Sequence, residues 1–170
     1  MDFLELSNKR FSTRKFSSRK VEEEKINKIM ETARNAPTAK NKQPQFIYII
    51  KSEEGLQKIN KVCPCIYGAP VVFLVCVNLD EVCYLDLDDK KTTDIDGTIV
   101  TTQMMLEATD LGLGSVMIRY FKKEDVKKEL GLPDNLEPVL ILPVGYTADD
   151  YVINPNHTKR KDISEISKEI

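Results

Sequence analysis

A chain of 170 residues with 25 basic and 27 acidic side chains and a formal charge of −2 is long enough for a single domain over residues 1–170 without disulfides. That balance excludes the overall basic excess of a nucleic-acid binder, so any positive patch must be local. No apolar run approaches the ~20 residues of a membrane span, and Asp2-Phe3-Leu4-Glu5 opens without a basic start and apolar signal core, which predicts a soluble, cytoplasmic protein with no membrane partner.

Phe3, Leu4 and Leu6 predict a short N-terminal helix. Arg10-Phe11-Ser12-Thr13-Arg14-Lys15-Phe16 follows, with three cations and two hydroxyls between apolar anchors. Such a stretch reads either as a solvated helix end or as an anion grip. Arginine forks and hydroxyls suit phosphate oxygens, and in an extended segment Arg10, Ser12 and Arg14 leave on one face while Phe11 and Thr13 leave on the other.

A second helix is predicted from Ile26, Ile29, Met30 and Ala33 at helical spacing, ending near Asn35-Ala36-Pro37. The loop from Ala36 to Phe46 carries Thr38, Asn41 and Gln43. It reads as a polar connection or, since each amide offers both a donor and an acceptor, as a partner for a heterocycle edge. A strand is expected from Phe46 to Ile50, a helix capped by Ser52 through about Val62, and a buried strand from Ala69-Pro70 through Val77.

The long helix expected from about Thr93 to Leu111 carries Ile95, Ile99, Val100, Met104, Leu106, Ala108 and Leu111, and Gly112 is placed to end it. A strand over Ser115 to Ile118, a charged helix from Lys123 to Leu130 closed by Gly131, a strand over Val139 to Leu142 and a short helix around Ile163 and Ile166 complete the chain.

Four cysteines, Cys63, Cys65, Cys76 and Cys83, include a C-x-C rather than spaced C-x-x-C pairs, so structural free thiols are expected and no metal. With His157 as the sole histidine, hydrolytic catalysis has no support. Gly112-Leu113-Gly114-Ser115 follows a helix and opens a strand, the reverse of a dinucleotide-binding turn, and there is no phosphate-binding P-loop.

Taken together these segments resemble the nitroreductase family of FMN-dependent oxidoreductases. Arg10 to Phe16 resembles its Arg-x-Ser-x-Arg-x-Phe motif, and Ala36-Pro37-Thr38 to Asn41-x-Gln43-Pro44 its Ala-Pro-Ser-x-x-Asn-x-Gln-Pro motif. Gly112 to Ser115, Leu142-Pro143-Val144-Gly145-Tyr146 and Lys159-Arg160-Lys161 follow in the family's order. Gln45 stands where an aromatic residue is common, and the acidic stretch Asp80 to Lys91 occupies the place of helices that cover the ring in larger members.

The resemblance implies an α+β fold, a three-layer α/β/α sandwich on a mixed, mainly antiparallel sheet, assembled as an intertwined homodimer with FMN at the subunit interface. It marks Arg10, Ser12, Arg14, Lys159 and Arg160 for the phosphate and ribityl chain. Pro37, Thr38 and Asn41 would reach the flavin from the partner, with the Leu113 and Gly114 backbone beside the ring, and Phe11 and Gln43 are marked as further cofactor-binding residues. The implied activity is reduction of FMN by NADH or NADPH and ping-pong transfer to a small acceptor such as a nitroaromatic or quinone. A flavin-storing module and a thiol-based protein using Cys63 and Cys65 are the other readings.

Overall fold

The structure, a computed structural model, describes residues 2–170. Helix α1 (Phe3–Lys9) is capped by the Asp2 carboxylate, which accepts from the Glu5 N–H at 2.8 Å, and buries none of its residues. Helix α2 (Glu23–Asn35) buries Ile26, Ile29 and Ala33, the stripe its spacing predicts, and stops at Ala36 because the following Pro37 disfavours helical backbone there. Strand β1 (Gln45–Ile50) leads to α3 (Glu53–Val62), where Ser52 Oγ accepts from the Gly55 N–H at 3.2 Å as a cap should.

Strand β2 (Val71–Asn78) is the centre of the fold. Val72, Leu74 and Cys76 join a core with Ile59 of α3, while Val71, Phe73 and Val75 join another with Ile26, Ile29 and Ala33 of α2. A strand buried on both faces needs this unbroken apolar run, and the alternation of its side chains divides the molecule into three layers. The short strands β3 (Tyr84–Leu85) and β4 (Lys90–Lys91) pair with each other.

Helix α4 (Thr93–Asp110) packs Val100, Met104 and Ala108 with α2, and α5 (Lys123–Leu130) packs Val126 with α3. Strands β5 (Gly114–Ser115) and β6 (Leu136–Gly145) complete the main sheet in the order β1-β2-β6-β5, all of it antiparallel, with an isolated parallel bridge from Ser12 to Ser115. The four-residue α6 (Ile163–Ile166) leaves Ile163 and Ile166 exposed. Among the described residues no helix is long and apolar enough to cross a membrane.

Two expectations need correction, and one element was not foreseen. The strand expected over Ser115 to Ile118 is only Gly114–Ser115. Val116 N–H reaches the Pro143 carbonyl at 3.3 Å but a proline has no N–H to return, so the ladder lapses until Ile118 pairs with Ile141. Ile95, expected inside α4, is exposed while Asp96 is fully buried in its place, for a reason that lies in the loop described below. The β3–β4 pair lay unread in the acidic stretch, since residues this polar show no strand alternation.

Candidate functional site

Residues 10–16 are extended and stitched into place from both sides. Thr13 N–H donates to the Ser115 carbonyl at 2.9 Å, Ser17 N–H to Tyr146 at 2.8 Å, and Ala148 N–H to Lys15 at 3.1 Å. Thr13 is wholly buried, with its hydroxyl 3.2 Å from that of Thr147, and Phe16 is buried too. Burying Thr13 turns its neighbour Arg14 outward, as alternation along an extended segment requires. Lys15 leaves the group, because it forms an ion pair with Asp150.

Arg10, Phe11, Ser12 and Arg14 line a polar cavity of about 300 Å³ whose other wall is Ile153, Asn154, Asn156, His157 and Arg160. Phe11 therefore lines the same cavity as its neighbours and does not leave on the opposite face. Its ring stacks on Tyr151 with centroids 6.1 Å apart and meets the edge of His157 at 6.3 Å. The tail is pinned here by two further bonds: Tyr151 Oη donates to the Ser12 carbonyl at 2.8 Å, and His157 Nε2 lies 3.3 Å from the Asn8 carbonyl. Among the described residues no ion pair engages Arg10, Arg14 or Arg160, so three guanidiniums converge without a compensating carboxylate. Concentrated, uncompensated positive charge beside hydroxyl and amide donors is the chemistry of an anion site. Lys159 lies outside the lining, and its carbonyl instead accepts from Arg160 at 2.8 Å.

Beyond Phe11 a second cavity of about 230 Å³ is lined by Lys9, Thr109, Gly112, Leu113, Gly114, Tyr146 and Thr147. Gly112 adopts φ +74° to end α4, and Gly114 leaves room for the threonine hydroxyls of residues 13 and 147, which a Cβ would strike. Lys25 braces this turn, donating to the Leu111 carbonyl at 2.8 Å and to Tyr146 Oη at 2.9 Å. Tyr146 in turn bonds the Glu22 carboxylate at 2.8 Å beneath the Arg19 guanidinium. The Tyr146 hydroxyl, with Arg19 adding its charge, lowers the Glu22 carboxyl to about 2.

Pro37, Thr38, Asn41 and Gln43 line neither cavity in this chain. Their loop is strained: Lys40, Asn41 and Gln43 have φ of 53°, 53° and 51° without being glycine, and asparagine alone of the three tolerates that region readily. Buried Asp96 is what holds it. Its Oδ1 accepts from the Ala39 N–H at 2.9 Å and its Oδ2 from the Thr92 hydroxyl at 2.6 Å, while Thr38 Oγ1 accepts from the Gln43 N–H at 2.9 Å. The loop thus displays Asn41 and Gln43 as exposed side chains on a fixed backbone.

The other candidates are the cysteines and one further cavity. All four cysteines are free, and burial pushes the Cys63 thiol up and that of Cys76 to about 12, where the thiolate needed for redox or metal chemistry is scarce. Among the described residues no group of three or more His, Cys, Asp or Glu is placed to hold a metal. A larger cavity, about 900 Å³ between α2 and α3, contains none of the cofactor-site residues marked from the sequence, and its Lys51 pairs with Glu23.

The extended grip, the glycine turn and the rigid amide loop coincide with a known pattern, for the model of the nitroreductase family matches residues 8–65 and 61–146. The chain belongs to the nitroreductase family. General oxidoreductase chemistry comes with that membership. A solved nitroreductase family protein from Clostridium difficile is 45% identical, with a TM-score of 0.92, covering 99% of this chain and 98% of that one. Another, from Clostridium novyi NT, is 29% identical with a TM-score of 0.79, covering 88% and 87%. A protein of Methanothermobacter thermautotrophicus, provisionally assigned as an NADH dehydrogenase/NAD(P)H nitroreductase, is 31% identical over 88% of this chain and 80% of its own length.

This family member also carries site residues that sequence reading missed. Tyr151, Asn154, Asn156 and His157 lie beyond residue 146, outside the matched segment. Their one signal was the run Asn154-Pro155-Asn156-His157 shortly before Lys159-Arg160, polar groups clustered next to cations.

Proposed function

We propose that residues 1–170 form one domain of an FMN-dependent NAD(P)H oxidoreductase acting as a homodimer. The observation that carries this reading is the cavity in which Arg10, Ser12, Arg14 and Arg160 converge without an acidic partner, next to the glycine turn. The donor set fits a phosphate monoester, and the adjoining, less polar cavity fits the start of an organic group attached to it. Bound FMN would supply the redox chemistry, namely hydride acceptance from NADH or NADPH and ping-pong electron transfer to a small acceptor such as a nitroaromatic or quinone.

The chain's own groups bind and orient. Arg10, Arg14 and Arg160, with Lys159 near them, neutralise the phosphate, Ser12 donates to it, and Phe11 separates the phosphate end from the ring end. Leu113 and Gly114 offer backbone to the ring. Pro37, Thr38, Asn41 and Gln43, which line neither cavity in their own chain, complete the site of the partner. Exposed Phe3, Leu4, Phe46, Ile163 and Ile166 support an association that covers them.

Purified protein should be yellow and release FMN by mass. Arg14→Ala should weaken FMN by about 1.5 to 3 kcal/mol, the worth of a charge-assisted bond, and leave riboflavin, which has no phosphate, unaffected. Equal FMN affinity in the variant removes Arg14 from the site. Anaerobic NADH or NADPH should bleach the flavin band within seconds; a band that persists favours a flavin-storing module instead.

A further inference from the structure

We propose that His157 is a proton-linked member of the anion cradle: a phosphate group bound there draws a solvent proton onto the imidazole, so that affinity weakens as pH rises. This rests on the reading that the cradle takes the phosphate of FMN.

The position of the ring supports the linkage. His157 lines the cavity, and its Nε2 lies 3.3 Å from the Asn8 carbonyl oxygen. A carbonyl can only accept, so the neutral ring is assigned its hydrogen on Nε2 and is left with a lone pair on Nδ1. Phosphate oxygens also only accept. A neutral ring therefore offers the anion nothing, whereas an imidazolium keeps its bond to Asn8 and adds a donor and a charge.

The surroundings set the sign. Helix α1 contributes the Asn8 carbonyl; the segment after it contributes Arg10, Phe11 and Arg14; the tail contributes Asn154, Asn156 and Arg160. No acidic side chain is in the lining, and Phe11 holds the ring edge-on at 6.3 Å. An anion between the guanidiniums and the ring removes the repulsion that a fourth positive charge would otherwise meet. Tighter binding at low pH is then diagnostic, because the phosphate's own second ionisation, near pH ~6, works in the opposite direction by making more dianion as pH rises.

His157 is the chain's one histidine, so its Hε1 proton gives a single unambiguous NMR signal. The experiment follows that signal against pH in protein stripped of flavin, in protein with FMN, and in protein with riboflavin. Expected is a midpoint that rises with FMN and not with riboflavin; a one-unit rise corresponds to about a ten-fold fall in FMN affinity as pH climbs through the two midpoints. His157→Gln, whose amide can still donate to Asn8 but cannot titrate, should bind FMN with an affinity that no longer falls with pH. FMN that binds while the midpoint stays put, or a glutamine variant with the parent's pH dependence, overturns the inference alone. Failure of FMN to bind overturns the proposed function and this inference with it.

Discussion

Gly114→Ala puts the seam behind the arginine segment under direct strain. An added Cβ would collide with Thr13 Oγ1, lie 2.5 Å from Thr147 Oγ1 and 2.9 Å from Thr13 Cβ. Thr13 is wholly buried and cannot turn away, so the two hydroxyls, now 3.2 Å apart, must separate. Crowding of this kind costs about 1 to 3 kcal/mol and the lost hydrogen bond about 0.5 to 1.5. Restricting the unfolded chain offsets about 0.4 to 1 of that, which leaves a net loss of about 0.5 to 4 kcal/mol. At roughly 2 to 4 °C per kcal/mol for a chain of this size, the thermal midpoint should fall by roughly 1 to 16 °C.

The functional consequence follows from connectivity, because Ser12 and Arg14 flank Thr13 and move when it moves. FMN affinity, read from quenching of flavin fluorescence, should fall together with Tm. Gly112→Ala is the contrasting case: nothing lies within 4 Å of its Cβ, so only the strain of φ +74° is added and the arginine segment stays where it is. An alanine at 114 that matches the parent in both Tm and FMN affinity would refute the reasoning.

Three further outcomes are expected. Asp96→Ala removes the acceptor of both the Ala39 N–H and the Thr92 hydroxyl, so stability should fall by about 1.5 to 3 kcal/mol in urea and amide exchange at Asn41 and Gln43 should speed up; unchanged exchange would show that another contact holds the loop. The Glu22 carboxyl, at about 2 when folded against an ordinary 4.5, contributes stability that is present above the ordinary value and is lost as pH falls through the folded one. The stability difference between the parent and Tyr146→Phe should therefore shrink between those two pH values, and a constant difference would discount the Tyr146 bond. With a thiol reagent, partly exposed Cys65 should react first and Cys76 only on unfolding; early labelling of Cys76 would contradict its burial.

Much of the fold is written locally. Ile26, Ile29 and Ala33 specify the buried face of α2, Ser52 starts α3, Gly131 closes α5 in a left-handed turn, and the run from Val71 to Val77 demands burial on both faces. Each depends on spacing or on a single residue's backbone preference, which neighbours in sequence suffice to set. The grip was legible for the same reason, since alternation places Arg10, Ser12 and Arg14 on one side.

What lay beyond the sequence depends on partners distant along the chain. Ile95 and Asp96 exchange their expected places because the Ala39 N–H, 57 residues away, needs the carboxylate as its acceptor. β5 is short because its neighbour happens to be Pro143. Lys15 leaves the grip for Asp150, while His157 enters it only because Asn8 and Phe11 receive the tail. The sequence by itself thus determined which segments form helices and strands and which concentrate cations and hydroxyls. Tertiary structure decided which cations remain unpaired and which imidazole joins them, because pairing and desolvation are settled by whatever the chain brings near.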